Sequence, residues 1–490
     1  MIRELTKDII RYLPTKIVPA IVGFISVLVL THLFLPDDYG NYALVMATVN
    51  VFSILSAWLS PAVIRFLPFY QEEGKREEFI ATTVQISLIS ILITSILFLG
   101  MAFVFRSRIE ARLMTMLYIG IGMIAVWSLA NVLQYFLRAE RKVYLYSIFS
   151  VWYSVMNLVF GLFFVKVCKL GIQGMLYGFL LSFILAMPLL WLLSVGRPRI
   201  LPINISKSMI WTMSKYSLPL VLGSLAAWVL GLSDRYIIKL LRGSEEVGIY
   251  SASYNVSQRT IILFVWLFVL ALSPIIIQAW EREGKEAVRG YLTRVTRFFL
   301  IFCVPAVIGL SIISRPLTKL FLPQTYCEGY RIIPLVAAGA FFLGLQQIYT
   351  NTFVFYKKTV LIMVSFLTAA GLNIILNLLL IRRYGYLAAA ATTLISYLVL
   401  FFMIAGLSRR YLTWVFPVKS LVRILFASGC MGVASYFIGK GLTGSAIINL
   451  VLGVTSGGII YFVVLFVLGE VSFKELQQVF TSKAMSWKRL

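Results

Sequence analysis

The segment SASYNVSQRT (251–260) sets Ser251, Asn255 and Arg259 four residues apart, with Gln258 beside them. At helical spacing these three fall on one stripe of one face. A guanidinium with amide and hydroxyl neighbours suits an anionic, oxygen-rich ligand, because its planar fork pairs with phosphate or carboxylate through two parallel hydrogen bonds. A second chemistry-bearing stretch is SDRY, in which Asp234 and Arg235 close the apolar run SLPLVLGSLAAWVLGL. Adjacent opposite charges there read either as an ion pair across helices or as a proton or cation site at Asp234. Further candidates are Arg65, Asn131 and Gln134 (on one face with Tyr135 and Arg138), and Gln347, which shares a face with Gln346 and Asn351. Amides and tyrosines suit sugar hydroxyls, and they also hold helices together. His32 stands alone at a helix end and reads as a boundary residue.

The elements that must position these groups follow from composition. The chain has 490 residues, 60% hydrophobic and only 13% charged, against about a quarter charged in soluble domains. About fourteen segments between residues 15 and 468 have the ~20 mostly apolar residues that a bilayer crossing needs. The fold class is therefore all-α, a polytopic membrane protein of about fourteen transmembrane helices. A β-barrel would need short alternating strands, which the chain lacks. The N-terminal MIRELTKDIIRYLPTK has no removable signal pattern. Within the eighth apolar segment (249–279) Arg259 sits about 16 Å from the end of its helix, near the bilayer midplane and too deep to reach water easily. Arg65 lies nearer a helix end, within snorkelling distance of the interface.

Orientation comes from charge. With the N-terminus inside, lysines and arginines at the cytoplasmic ends outnumber those at the outer ends two to one. The expectation is N-in, C-in, in the inner (cytoplasmic) membrane. The net charge of +25 is then a topology signal and a contact with anionic membrane lipids. No soluble basic domain exists to bind nucleic acid. Cys168, Cys303, Cys327 and Cys430 form no Cys-x-x-Cys pair, so no metal site and no cofactor is expected; a Cys168–Cys327 disulfide is left open.

The chain repeats itself. PDDYGNYAL (36–44) echoes SEEVGIYSA (244–252); LSPAVIRFLPFYQEEGKREEF echoes LSPIIIQAWEREGKEAVRGY; RKVYLYSIF echoes KKTVLIMVS; KLGIQGMLYG echoes RYGYLAAAAT. The offset is about 208–216 residues throughout and spans an even number of segments, so the copies run parallel. The division expected is a six-helix lobe at 1–198, a cytoplasmic linker at 199–216, a second six-helix lobe at 217–408, two additional helices at 409–469 and a cytoplasmic tail at 470–490. The linker and the tail are each expected to carry an interfacial helix.

Two six-helix lobes plus two helices, with LPDDYGNYAL after the first and SDRYIIKLLRGSEEVGIYSASY bridging the seventh and eighth, resemble the Wzx-type flippases. These form the polysaccharide-exporter branch of the multidrug/oligosaccharidyl-lipid/polysaccharide (MOP) superfamily. Relatives that carry the peptidoglycan precursor have a basic cluster in helix 1, whereas IVGFISVLVLTHLFL has none. The resemblance implies no enzyme. It implies a flippase carrying a polyprenyl-pyrophosphate-linked oligosaccharide to the outer leaflet for surface polysaccharide biosynthesis. Glycosyltransferases and a polysaccharide polymerase are the partners implied. The alternative is a multidrug/cation antiporter of the same superfamily, which would favour buried carboxylates.

Overall fold

The computed structural model describes residues 13–107, 109–196, 206–439 and 445–471, which are helical apart from short connections. In the first half of the chain the helices are α1 (Pro14–Leu33), α2 (Pro36–Ser56), α3 (Ser60–Glu72), α4 (Arg76–Val104), α5 (Ala111–Ala139), α6 (Val143–Lys166) and α7 (Gln173–Ser194). In the second they are α8 (Lys207–Leu232), α9 (Asp234–Arg242), α10 (Ser244–Arg282), α11 (Lys285–Phe321), α12 (Ile333–Phe355), α13 (Thr359–Arg409), α14 (Val418–Gly439) and α15 (Ala446–Val467). A 3₁₀ stretch, Gln324–Ile332, precedes α12.

Twelve of the described elements are long and apolar enough to cross a membrane. One of them, α13, has 51 residues, far more than the ~20 of a single crossing. It is two crossings joined at Gly385, whose φ of 60° and ψ of −150° are non-helical. Side chains prove the reversal. Asn373 Nδ2 reaches Thr393 Oγ1 at 3.4 Å and Thr392 donates to Asn377, contacts that a straight helix would hold roughly 30 and 22 Å apart. With the 39-residue α10 also counted, the described helices make about fourteen crossings.

The repeat is visible in the backbone. Left-handed residues recur at equivalent places in the two halves: Gly74 and Gly284 (φ 73° and 81°), Arg141 and Lys357 (56° and 55°), Gly171 and Gly385 (58° and 60°). Non-glycine residues rarely take this conformation, so the Arg141–Lys357 match is a specific one. Both end an interhelical turn at the basic pair that the sequence repeats.

Buried apolar side chains gather in separate cores. One joins α1–α7, with Ala252 and Val256 of α10 and Met209 and Met213 of α8 added. Another is confined to the stretch from Ala226 to Trp414. A third fastens α14 and α15 to α11 through Leu300, Ile301, Ile424 and Tyr461, whose hydroxyl donates to Ile301 O at 2.6 Å. Leucine, isoleucine and valine cover the outward faces, as lipid contact requires.

One expectation about connections is revised and one open question is answered. Residues 207–216 do not form a separate surface helix; they are the first turns of α8 and run unbroken into Leu232. Cys168 and Cys327 are free thiols, one exposed and one buried. Residues 199–205 of the linker and the tail helix lie outside the described residues.

Candidate functional site

The two halves meet where α10 crosses α2 and then runs along α1 in the opposite direction. At one end the repeated motifs touch each other. Gly40 lies against the Ser244 carbonyl, and Gly248 against the Pro36 carbonyl. Each glycine abuts the residue four positions before its counterpart, so the crossing is a pseudo-twofold one in which absent side chains let backbones approach. Polar groups close around it. Ser244 Oγ donates to Asn41 Oδ1 at 2.7 Å, Lys239 pairs with Glu110 at 2.6 Å, and Tyr326 OH donates to Phe34 O at 2.9 Å.

Moving along α10, the seam stays packed. Asn255 Nδ2 points at Tyr39 OH, 3.4 Å away. One turn further, the Arg259 guanidinium covers the bare face of Gly23, in the space a side chain there would take, and Nη1 lies 3.5 Å from Pro19 O. That carbonyl has a second lone pair beyond its intrahelical bond. Tyr39 and Tyr42 lie within electrostatic reach. No carboxylate pairs with Arg259 among the described residues. Two turns on, the Lys16 ammonium sits 4.2 Å above the Trp266 ring, and the Arg138 guanidinium is within Coulombic reach of Lys16. Arg138 itself rests on Tyr135 and Tyr146, at 5.0 and 5.4 Å from the ring centroids. Lys16 and Arg138 thus lie within Coulombic reach of each other, Arg259 stands two turns along α10 from the Trp266 ring that Lys16 covers, and none of these three cations has an acidic partner among the described residues. Apart from lipid and water, such an arrangement is suited to an anion.

The sequence candidates separate on this framework. Asn255 and Arg259 share the seam. Ser251 is buried with its hydroxyl unpartnered. Gln258 turns away from the stripe and donates to Tyr254 OH at 3.1 Å. Arg65 stands apart on α3, exposed, 4.8 Å from the Tyr216 ring of α8. Asn131 and Gln134 are half-buried on α5, the helix that carries Arg138. Gln347 lines a cavity in the second half with Gln346 and Asn351.

Asp234 and Arg235 neutralise each other on the same helix. Arg235 Nη1 lies 3.0 Å from Asp234 Oδ1 and donates to Gly231 O at 2.8 Å. Tyr250 donates its hydroxyl to the other carboxylate oxygen, and the Tyr254 ring lies 4.8 Å from the guanidinium carbon. Asp234 is fully buried in this arrangement.

Lys16 is the residue that sequence reasoning missed. At the start of α1 it counts as a flanking charge, and its neighbours VPAIVGF hold no second polar group to mark it. A basic residue three positions before a proline carbonyl that Arg259 approaches is a signal only once α10 is known to lie there.

The comparisons agree with this architecture. The model for the family described as polysaccharide biosynthesis protein matches residues 5–280, and the MatE model matches residues 219–379. An uncharacterized membrane protein of Methanocaldococcus jannaschii is 24% identical over 52% of this chain, and the match spans half of that relative's length. The Haloferax volcanii protein named probable flippase AglR is 23% identical over 71% of this chain and 72% of its own. Among solved structures, the lipid II flippase MurJ in an inward closed conformation superposes with a TM-score of 0.76 at 16% identity, covering 94% of this chain and 98% of that one. A MATE transporter of Vibrio cholerae, VcmN, gives 0.61 at 12% identity over 83% and 96%. Those identities speak for the fold alone. The family model, which takes in more than half of the chain, speaks for descent: this multi-pass membrane protein belongs to the polysaccharide biosynthesis protein family.

Proposed function

We propose that the chain flips a polyprenyl-pyrophosphate-linked oligosaccharide from the cytoplasmic to the outer leaflet by alternating access. Residues 1–198 and 217–408 act in this reading as two lobes that rock about the α10 seam, joined through residues 199–216, of which 207–216 are the first turns of α8. The pair of helices within 409–469 rides on the second lobe, and 470–490 forms a cytoplasmic tail. The observation that carries the reading is Arg259, half-buried in the seam two turns along α10 from the Trp266 ring that Lys16 covers, with no acidic partner among the described residues. An anionic headgroup is the charge this place lacks, and a guanidinium binds its phosphates as a fork. The Gly40–Gly248 crossing is the outer closure, given the N-in, C-in orientation that the charge asymmetry favours. Asn255, Arg65, Asn131, Gln134 and Gln347 are proposed as further substrate contacts, with Ser251 and Gln258 flanking them. Anionic lipids of the inner membrane, glycosyltransferases and a polymerase are the partners proposed, and no catalytic step is assigned.

The cation-antiporter reading needs a free buried carboxylate to receive a cationic drug. Asp234, the buried acid of the α8–α9 span, is already held by Arg235 and Tyr250.

The test is substitution at Arg259 in an export-complementation assay. Arg259→Ala is expected to abolish export while the protein still inserts and folds, since a lost charge-assisted contact costs a few kcal/mol, or roughly a hundredfold in affinity. Arg259→Lys restores the charge without the fork and should rescue in part. Full flux in Arg259→Gln would refute the assignment.

A further inference from the structure

A cavity of about 510 Å³ lies within the second half, between α8, α10, α12 and α13. Its volume falls in the range of about 300–1,000 Å³ typical of small-ligand pockets. None of its lining residues is charged. Most of the wall is apolar, but α12 places Gln346, Gln347, Thr350 and Asn351 along it, and α10 contributes Trp266.

The hydrogen-bond accounting shows what the wall offers. Thr350 donates to Gln346 Oε1 at 2.8 Å, which leaves the Gln346 amide N–H groups free. Asn351 Nδ2 donates to the carbonyls of Gln347 and Ile348, both at 3.2 Å, which leaves Asn351 Oδ1 free. The Gln347 amide bonds to nothing among the described residues, neither through its oxygen nor through its nitrogen. The cavity therefore presents unused donors and unused acceptors together. A phosphate has no hydrogen to give the acceptors; a cation finds no carboxylate; an alkyl chain would strand three polar side chains at a cost of about 1–3 kcal/mol for each unpaired group. A hydroxyl both donates and accepts, and several hydroxyls on an uncharged ring satisfy the set. Trp266 supplies the apolar, electron-rich face on which the C–H face of a pyranose packs.

Position adds a second line of argument. Trp266 belongs both to the cavity wall and to the cationic seam, because the Lys16 ammonium sits 4.2 Å from its ring centroid. Ile262, one turn after Arg259 on α10, also lines the cavity. A ligand whose anionic part lies at Lys16 and Arg259 would have its next few atoms at the cavity.

We propose that this cavity is a subsite for the uncharged sugar next to the diphosphate, with Gln346, Gln347 and Asn351 bonding its hydroxyl or acetamido groups against Trp266. The proposal rests on the lipid-diphosphate reading above and adds where the sugar is recognised.

Purified protein in nanodiscs tests it with two probes, undecaprenyl diphosphate and the same lipid carrying an N-acetylated disaccharide. Gln347→Leu keeps the side chain's shape and removes both hydrogen-bonding atoms without breaking any bond within the protein. It should weaken the glycosylated lipid about tenfold, worth ~1.4 kcal/mol, and leave the bare lipid and the melting temperature unchanged. Arg259→Ala should weaken both lipids. If Gln347→Leu and Asn351→Leu leave both affinities at the wild-type value, or reduce both equally, the subsite is overturned while the transport reading stands. A wild-type protein that binds neither lipid would overturn the lipid-diphosphate reading and the subsite with it.

Discussion

Gly40 and Gly248 hold the same place in the two copies of the repeat, and each lies against the backbone of the other's helix, Gly40 on the Ser244 carbonyl and Gly248 on the Pro36 carbonyl. Two motifs that echo each other in sequence are thus a single contact in space, and the contact closes one end of the seam between the halves of the protein.

If that contact must part during transport, a bridge across it should stop transport. Asn41 and Ser244 are the residues to use, since their side chains meet at 2.7 Å. The double variant Asn41→Cys/Ser244→Cys, treated with a short bifunctional thiol reagent, should lose export almost completely, whereas each single variant should keep it. Unimpaired flux in the cross-linked protein would mean that the crossing is permanent.

Gly248→Val has no room for its side chain against Pro36. Overpacking of this kind typically costs about 1–3 kcal/mol. The expected result is a lower melting temperature and faster thiol labelling of cysteines placed along the seam, at Tyr39 for example. Labelling rates equal to those of the parent protein would show that the seam does not depend on the close approach.

The Asp234–Arg235 pair predicts an asymmetry between single and double variants. Asp234→Asn leaves a buried guanidinium without its counter-ion, and breaking a buried pair in this way typically costs about 3–5 kcal/mol. Asp234→Asn/Arg235→Gln removes both charges and should recover most of the lost melting temperature. Flux in the double variant then separates the two roles. Transport that no longer responds to an imposed proton or sodium gradient would assign ion coupling to Asp234, and normal, gradient-responsive transport would leave it a structural group.

Glu470 anchors the last two helices, and pH should reveal it. Burial pushes its carboxyl up, but hydrogen bonds from Ser420, Arg297 and Arg423 and the charge of Arg297 outweigh burial and hold it below the ordinary carboxylate value. A depressed folded-state pKa stabilises above the unfolded value and loses that contribution as pH falls through the folded one. Melting temperature should therefore fall below about pH 4.5 more steeply in the parent protein than in Glu470→Gln. Identical pH profiles would remove Glu470 from the account.

Orientation is open to direct measurement. Cysteines at Lys75 and Lys285 should react with an impermeant thiol reagent only in permeabilised cells, and one at Asp37 in intact cells. Outside labelling at Lys285 would overturn both the N-in orientation and the parallel repeat.

Much of the fold is legible in the chain because its causes are local. An apolar run of about 20 residues must be a helix in lipid, since its backbone groups have nowhere else to bond, so the number and positions of the crossings follow from composition. The turn between the two crossings of α13 is marked by Gly385 and by its match to Gly171. The depth of Arg259 likewise follows from counting residues along α10. What the sequence by itself leaves open is which side of each helix meets which neighbour. A repeat announces that two motifs are equivalent, not that they touch, and Gly40 and Gly248 could as well have sat at opposite edges. Asp234 and Arg235 read either as an ion pair across helices or as a proton or cation site until the folded chain turns Arg235 back onto its neighbour and brings Tyr250 across from α10. Lys16 looks like one more flanking charge until α5 and α10 bring Arg138 and Trp266 to it. Crossing a membrane is a property of one segment. A charge's partner is a property of packing, which depends on small residues many turns away, and only the tertiary structure decides it.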